Sequence, residues 1–340
     1  MKILHAPVNI GGMPYVLAKA QRDKGCHAAS YSISPSAFQY DIDIQCDVTR
    51  GGRERIKAVF NIFKFVTEFD VFHFYYGNSL TGSNLYDIRL LKRLGKKIFF
   101  YFCGCDIRDS KEIIAKYEFS ACKHCWPMRC SSNRDRAYST AMKFADAIFV
   151  STPDLIEFVP GAFWLPPPVS LETLDNLASK VDHARGDDTI IVAHAPTSRM
   201  IKGSDYLIDA IDKLKEEGFP IELRLIENMP HAQALREYAK ADIVVDQLLI
   251  GWYGLLSIEM MALGKPVICY IREDLRHFVA DDLPLLSADI VNVKDVLKTL
   301  VLDRAAWEKY GARGREFVNK YHSAAVVAEK ALEIYRQCGS

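Results

Sequence analysis

Between Gly251 and Ile271 the chain reads as a loop, a helix and a strand: Gly-Trp-Tyr-Gly-Leu-Leu-Ser-Ile-Glu-Met-Met-Ala-Leu-Gly-Lys-Pro, then Val-Ile-Cys-Tyr-Ile. Gly251 and Gly254 permit a tight turn and close approach of backbone to a ligand. Residues 255–263 are helix formers, apolar except for Ser257 and Glu259. Gly264 stops the helix and Pro266 prevents its return. The apolar, β-branched run 267–271 suits a strand buried on both faces, which is the situation of a parallel sheet covered by helices. A helix that opens on glycine presents unpaired N–H groups and the positive end of its dipole, a setting for phosphate. Glu259 is a carboxylate on an otherwise apolar helix and needs a partner. A ribose diol would serve, and so would a neighbouring Lys or Arg.

The same strand–loop–helix grammar recurs along the chain. Residues 2–6 read as a strand, Gly11-Gly12 as a loop, and 15–24 as a helix, the opening of a doubly wound α/β domain without the glycine spacing of a dinucleotide fingerprint. Residues 53–69 form an amphipathic helix with Ile56, Val59, Phe60 and Phe63 at helical spacing. The strand 70–76 ends at Gly77-Asn78-Ser79. Ligand sites of parallel sheets lie at the carboxyl ends of strands, so His73 is either an acceptor-side residue or a satisfied core histidine. Helix 85–94 carries Arg89, Lys92 and Arg93, with Lys96 and Lys97 after it. It is either a solvated basic face or a helix able to lie on an anionic membrane. The strand 98–102 runs into Cys103-Gly-Cys-Asp106. Cys122-Lys-His-Cys125 and Cys130 then offer three thiolates. With Cys105 or Cys103 as a fourth they can hold a structural zinc; reduced thiols are the alternative. Three prolines at 166–168 read as an extended linker. In the second half a strand at 189–194 precedes a loop with Arg199 and Lys202. These are two cations at a helix start that suit a diphosphate, or else two solvated surface charges. A strand at 221–226 leads to a loop containing Glu227, and 243–246 leads into the opening segment.

The segment at 251–271 resembles the donor-binding signature of retaining glycosyltransferases of the GT-B fold, family 4. Tyr253 stands at that signature's Phe, Gly254 at its second Gly and Glu259 at its second Glu. Arg199 and Lys202-Gly203 match the Arg and Lys-Gly that hold the nucleotide diphosphate in that family. Trp252 replaces the first Gly, Gly251 the first Glu, and Cys103 the usual His of His-Gly-x-Asp, whereas Gly104 and Asp106 remain. The resemblance implies an α/β architecture of two doubly wound Rossmann-like domains facing a cleft. The acceptor-side domain is 1–168 with a Cys-rich insert at 103–130, the donor domain is 169–320, and a last helix at 321–340 packs back on the first. It also implies a nucleotide-sugar-dependent hexosyltransferase that moves a sugar from a UDP- or GDP-linked donor to a hydroxyl of a glycan, lipid-linked or small-molecule acceptor, with retention. Arg199 and Lys202 would carry catalysis by stabilising the leaving diphosphate. Gly11, Gly12, Arg199, Lys202, Glu227, Tyr253, Gly254, Leu255, Leu256 and Glu259 would bind donor. His73 and Asp106 would face the acceptor. The chemistry implied requires no cofactor beyond the nucleotide-sugar substrate; a zinc on the cysteines would be structural. Because Gly251 and Cys103 replace residues that touch the sugar, a non-catalytic nucleotide-binding or scaffold relative is the alternative.

Composition bounds these readings. A chain of 340 residues with 49% hydrophobic and 25% charged residues is long enough for two globular domains. No run of 18 apolar residues is uninterrupted by charge, which argues against a spanning segment. The start Met-Lys-Ile-Leu-His enters a strand directly and lacks a signal-peptide core, so a cytoplasmic location is expected, with the inner membrane face within reach of the basic helix. Net charge is zero overall, but residues 1–169 carry +6 and the remainder −6. That modest excess suits an anionic surface, and no nucleic-acid partner is expected.

Overall fold

The computed structural model describes residues 1–125, 130, 132–181, 188–279 and 283–338. In chain order the elements are β1 (Lys2–Ala6), α1 (Met13–Asp23), β2 (His27–Ser32), β3 (Ile44–Gln45), α2 (Gly52–Glu68), β4 (Val71–Tyr75), α3 (Asp87–Arg93) and β5 (Lys97–Phe102). Then come α4 (Ser110–Lys116), α5 (Ala121–His124), α6 (Arg134–Phe144), β6 (Ala147–Val150), β7 (Phe163–Trp164) and α7 (Leu171–Ala178). The remainder is β8 (Ile190–His194), α8 (Arg199–Lys202), α9 (Ser204–Glu216), β9 (Ile221–Leu225), α10 (His231–Ala239) and β10 (Ile243–Val245), followed by α11 (Leu255–Ala262), β11 (Val267–Ile268), α12 (Val293–Leu302), α13 (Ala305–Tyr321) and α14 (Ala324–Gln337). The chain divides into two compact units. One comprises 1–109, 130–169 and 324–340; the other comprises 110–129 and 170–323.

In the first unit the described strands form one parallel sheet in the order β3-β2-β1-β4-β5-β6-β7. β4 and β5 are runs of aromatic and β-branched residues, nearly all buried, as central parallel strands require. Their side chains alternate between two cores. Phe72, Phe74, Phe100 and Phe102 meet α2, α3 and α6 on one face. Val71, Tyr75, Phe99 and Tyr101 meet α1 and α14 on the other. Phe163-Trp164 pairs with β6 as an edge strand just before the prolines that begin at 166. α2 forms as its period predicts, but its apolar stripe faces outward. Ala58 and Phe65 are buried, whereas Phe60 and Phe63 are each 70% exposed.

In the second unit the described strands form a parallel sheet in the order β11-β10-β8-β9. Its core joins Ile190, Val192, Ile243 and Val245 to Leu207, Ile211 and Leu214 of α9 and Leu297 of α12. α13 lies against α11 along Gly311 and Gly314. A Cβ at Gly311 would overlap the backbone carbonyl of Gly264, and one at Gly314 would lie 3.1 Å from Met261 Cβ. The fold is thus α/β, with two parallel Rossmann-like sheets. The Cys-rich stretch 103–130, expected in the first domain, is divided: 110–129 belongs to the second unit.

Candidate functional site: a charged cluster at the start of α11

The cluster is built outward from β8 and β10. His194, at the end of β8, accepts and donates at once: Nδ1 lies 2.7 Å from the Val245 carbonyl and Nε2 lies 2.8 Å from Ser204 Oγ. A carbonyl can only accept, so the ring is the neutral Nδ1–H tautomer. Burial pushes its pKa down to about 4, which keeps it neutral and ties β8, β10 and α9 together.

Where sequence places a loop, Arg199–Lys202 forms one helical turn, α8, ended by Gly203 in the left-handed region at φ 77°. A side chain at Gly203 would press on Leu248 Cβ at 3.1 Å. Both cations are paired with carboxylates, Lys202 largely buried and Arg199 partly exposed. Arg199 makes a two-pronged pair with Glu227, Nε to Oε1 at 3.0 Å and Nη2 to Oε2 at 2.5 Å. Lys202 Nζ donates to Asp246 Oδ1 at 2.7 Å and to Gln247 Oε1 at 2.6 Å. Asp246, fully buried at the end of β10, also accepts the Gly254 N–H at 3.1 Å and the Ser257 hydroxyl at 2.7 Å through Oδ2. Burial alone would raise its pKa. The adjacent Lys202 ammonium, with the hydroxyl and the N–H, outweighs burial and holds the carboxyl below the usual range. A Cβ at Gly254 would lie 3.1 Å from Asp246 Oδ2, so a side chain there would press on the carboxylate.

Thus the start of α11 is capped by a carboxylate that sequence reasoning left without a role. Its signal was a lone Asp directly after an apolar strand, a charge that burial obliges to find a cation. Leu255 and Leu256, in the first turn, have no intrahelical acceptor for their N–H groups by the geometry of a helix start. Glu259, one turn on and 6% exposed, takes neither Lys nor Arg: its Oε1 lies 2.7 Å from His231 Nε2, at the start of α10. Glu227 lies in the loop after β9.

Other expected site residues turn out to be structural. Tyr253 is buried, stacks on Trp252, and its hydroxyl lies 2.9 Å from His322 Nε2, so it is a core residue and offers no surface to a donor. His73 is fully buried between Tyr75 and Phe149, with Nδ1 on the Tyr335 hydroxyl, so it cannot touch an acceptor. Asp106 is also buried. Its carboxylate accepts the N–H groups of Cys103 and Gly104 at 2.7–3.1 Å and closes the turn after β5, while burial raises its pKa to about 6. Gly11 and Gly12 occupy the turn before α1, with Gly12 as N-cap at φ 73°; a Cβ there would lie 3.0 Å from Tyr40. The cysteines of the expected zinc set are divided between the two units. Cys122 and Cys125 lie on or beside α5 in the second unit, Cys105 and Cys130 belong to the first, and Cys130 is exposed. Among the described residues no three His, Cys, Asp or Glu side chains gather as a metal site. Residues 126–129 lie outside the described set. α5 instead packs against α8, and the Ala121 N–H donates to the Leu249 carbonyl at 2.8 Å.

Gly251, the departure from the resembled signature, has a local cause. Its φ is 85°, and a Cβ would lie 2.7 Å from Cγ and Cδ of Arg272. Arg272 donates its N–H to the Gly251 carbonyl at 2.8 Å, pairs with Asp274 at 2.6 Å, and sits 3.7 Å over the Tyr117 ring.

No protein-family model and no curated protein matches the chain in sequence. Solved structures do match in fold. A sucrose-phosphate synthase from Thermosynechococcus elongatus superposes with a TM-score of 0.66 at 17% identity, covering 99% of each chain. HepE of Anabaena in complex with UDP and glucose gives 0.66 at 14% identity, covering 99% of each chain. An alpha-glucosyltransferase in complex with UDP-glucose and DNA containing an abasic site gives 0.62 at 14% identity, covering 98% of this chain and 99% of that one. These proteins share the GT-B fold with this chain.

Proposed function

We propose that the chain is a nucleotide-sugar-dependent glycosyltransferase, a hexosyltransferase that moves a sugar from a UDP- or GDP-linked donor to a hydroxyl of a glycan, lipid-linked or small-molecule acceptor, with retention at the anomeric carbon. The observation that carries this reading is the meeting of Lys202 with the start of α11 on buried Asp246, with Arg199 on the same helical turn as Lys202. That group sits in a fold shared with proteins solved with UDP and UDP-glucose. Arg199, Lys202 and the first N–H groups of α11 would bind the diphosphate and stabilise its charge as the bond to the anomeric carbon breaks. The acceptor oxygen would form the new bond and give its proton to the departing phosphate, so no protein base is required. Glu259, freed from or shared with His231, would take the ribose diol, and the Glu227 loop would flank the base. The donor reading rests on the second unit alone.

A second reading, nucleotide binding without transfer, is favoured by one observation. At Gly251, where the resembled signature has a sugar-contacting carboxylate, the Arg272 side chain fills the space a larger residue would need. Thermal stabilisation by UDP, GDP, ADP and their sugars tests the site. At a hundred times its dissociation constant a ligand adds about 2.7 kcal/mol. A shift with one nucleotide, lost in Arg199→Ala and Glu259→Ala, is expected; no shift with any nucleotide refutes the donor site. Slow donor hydrolysis without acceptor then supports transfer, and binding with no turnover of any donor supports the second reading.

A further inference from the structure

The outward faces of α2 and α3 are exposed among the described residues. At about 100° per residue, Val59, Phe63, Ile56 and Phe60 of α2 fall within an arc of about 100°. All four are at least half exposed, against the usual fate of an apolar stripe. Arg55 borders this arc on one side; Arg53, Lys57 and Lys64 border it on the other. The helix's two acids, Glu54 and Glu68, lie beyond those cations toward the buried side, 3.9 Å from Lys57 and 3.8 Å from Lys64. α3 repeats the pattern. Tyr86, Leu90 and Leu94 recur every four residues on its outer face, 77%, 53% and 50% exposed, beside exposed Arg89 and Arg93. Both helices pack their inner residues into the same core on the same face of the seven-stranded sheet, so both outer faces point away from it on one side of the unit.

We propose that this layer is a docking surface for an anionic lipid bilayer, with the apolar residues of α2 and α3 entering the headgroup–acyl boundary and the six exposed cations lying against acidic headgroups. The chemistry favours lipid over a second copy of the chain, because a self-complementary contact would set each ring of arginines and lysines against its own kind. Apolar residues rimmed by cations along a helix axis match the interfacial plane, where both classes find their own solvent. Neither helix crosses the bilayer; among the described residues none is long and apolar enough to do so. The proposal does not depend on sugar transfer.

The test is sedimentation of the whole protein with vesicles of phosphatidylcholine alone and of an equimolar phosphatidylcholine–phosphatidylglycerol mixture. Binding to the anionic vesicles is expected to exceed binding to the neutral ones and to weaken with salt. The double variant Phe60→Ser/Phe63→Ser, whose exposed sites leave the melting temperature unchanged, is expected to reduce binding about tenfold or more. Arg53→Gln/Lys57→Gln should reduce binding to the anionic vesicles only. Nucleotide-induced stabilisation, measured on the same variants, should not move. No binding to anionic vesicles, or binding indifferent to both double variants, overturns the proposal. So does a dimer in analytical ultracentrifugation that Phe60→Ser/Phe63→Ser dissolves without vesicle binding, which assigns the face to a second copy.

Discussion

Replacing Lys202 by Met tests the cluster at its centre. The Nζ of Lys202 lies 2.7 Å from a carboxylate with no solvent exposure, and its own side chain is only 14% exposed. Removing one member of such a pair leaves a buried charge whose desolvation is no longer offset, at a cost of about 3–5 kcal/mol. The Gly254 N–H and Ser257 hydroxyl still solvate Asp246, so the lower end, about 3 kcal/mol, is expected at pH 7. The pH dependence carries the sign. In the native protein the Asp246 pKa is depressed, so its stabilisation is present above the unfolded carboxyl value and is lost only as pH falls through the lower folded value. In Lys202→Met burial dominates and the folded pKa rises above the unfolded one. Asp246 then destabilises at neutral pH and takes up a proton on folding as pH falls. The difference between wild type and variant should therefore shrink from pH 7 toward pH 4. Urea unfolding across that range measures it. A loss under about 1 kcal/mol, the same at pH 7 and pH 4, refutes the picture of a buried charge held by Lys202.

Four further outcomes follow from the same geometry. Gly311→Ala puts a methyl group into the Gly264 carbonyl, and forcing α13 off α11 should cost about 2–4 kcal/mol, seen as a lower melting temperature with unchanged helix content. Gly251→Ala combines a positive φ with collision against Arg272 Cγ and Cδ, and a loss of about 2–3 kcal/mol in denaturant unfolding is expected. His5 and His194, each pushed by burial to about 4, and His73, also lowered by burial, are neutral when folded but bind protons when unfolded below about 6.5. Stability should therefore fall as pH drops from 6.5 toward 4, by about 1.4 kcal/mol per pH unit for each, and His5→Gln should flatten the slope in urea titrations. Glu227→Gln releases the Arg199 guanidinium from its two-pronged pair; if Arg199 meets the diphosphate, nucleotide affinity by calorimetry should rise severalfold, and a fall would mean that Glu227 itself holds the ligand.

The alternation of apolar strands with glycine-bounded helices pointed to two parallel α/β units, because burial on both faces keeps β4, β5 and β8 largely apolar, with His73 and His194 admitted only as hydrogen-bonded, buried rings. Arg199, Lys202 and Glu259 were legible as charges at helix starts or on an apolar helix, all three within the second unit. Their partners were not. Asp246, Gln247 and His231 lie 28 to 45 residues away in sequence, and such pairings depend on strand order. Tyr253 was assigned to the donor because it stands at the Phe of the resembled signature, whereas here it fills the space between Trp252, Phe317 and His322. On α2 the period gave the apolar face, but period cannot say whether that face meets a sheet; the small Ala58 and the next-turn Phe65 took that place.

The Lys202–Asp246 cluster, as it stands, is electrically closed. Lys202 is matched by Asp246, Arg199 by Glu227, and the first N–H of the α11 turn by the second oxygen of Asp246. A diphosphate brings two or more negative charges to groups whose partners are already anionic. Binding therefore needs either exchange, with Arg199 leaving Glu227, or sharing, with Lys202 bridging phosphate and Asp246. Exposure separates these cases. Arg199 is 47% exposed and its pair with Glu227 is screened, so breaking it costs little. Lys202 is 14% exposed and its carboxylate is fully buried, so that pair stays intact and the ammonium keeps its remaining donor for the ligand. The two cations thus play unequal parts. If the cluster binds a diphosphate as proposed, Lys202 would be held by Asp246 against the start of α11, and Arg199 would be the cation released from Glu227 by the competing anion.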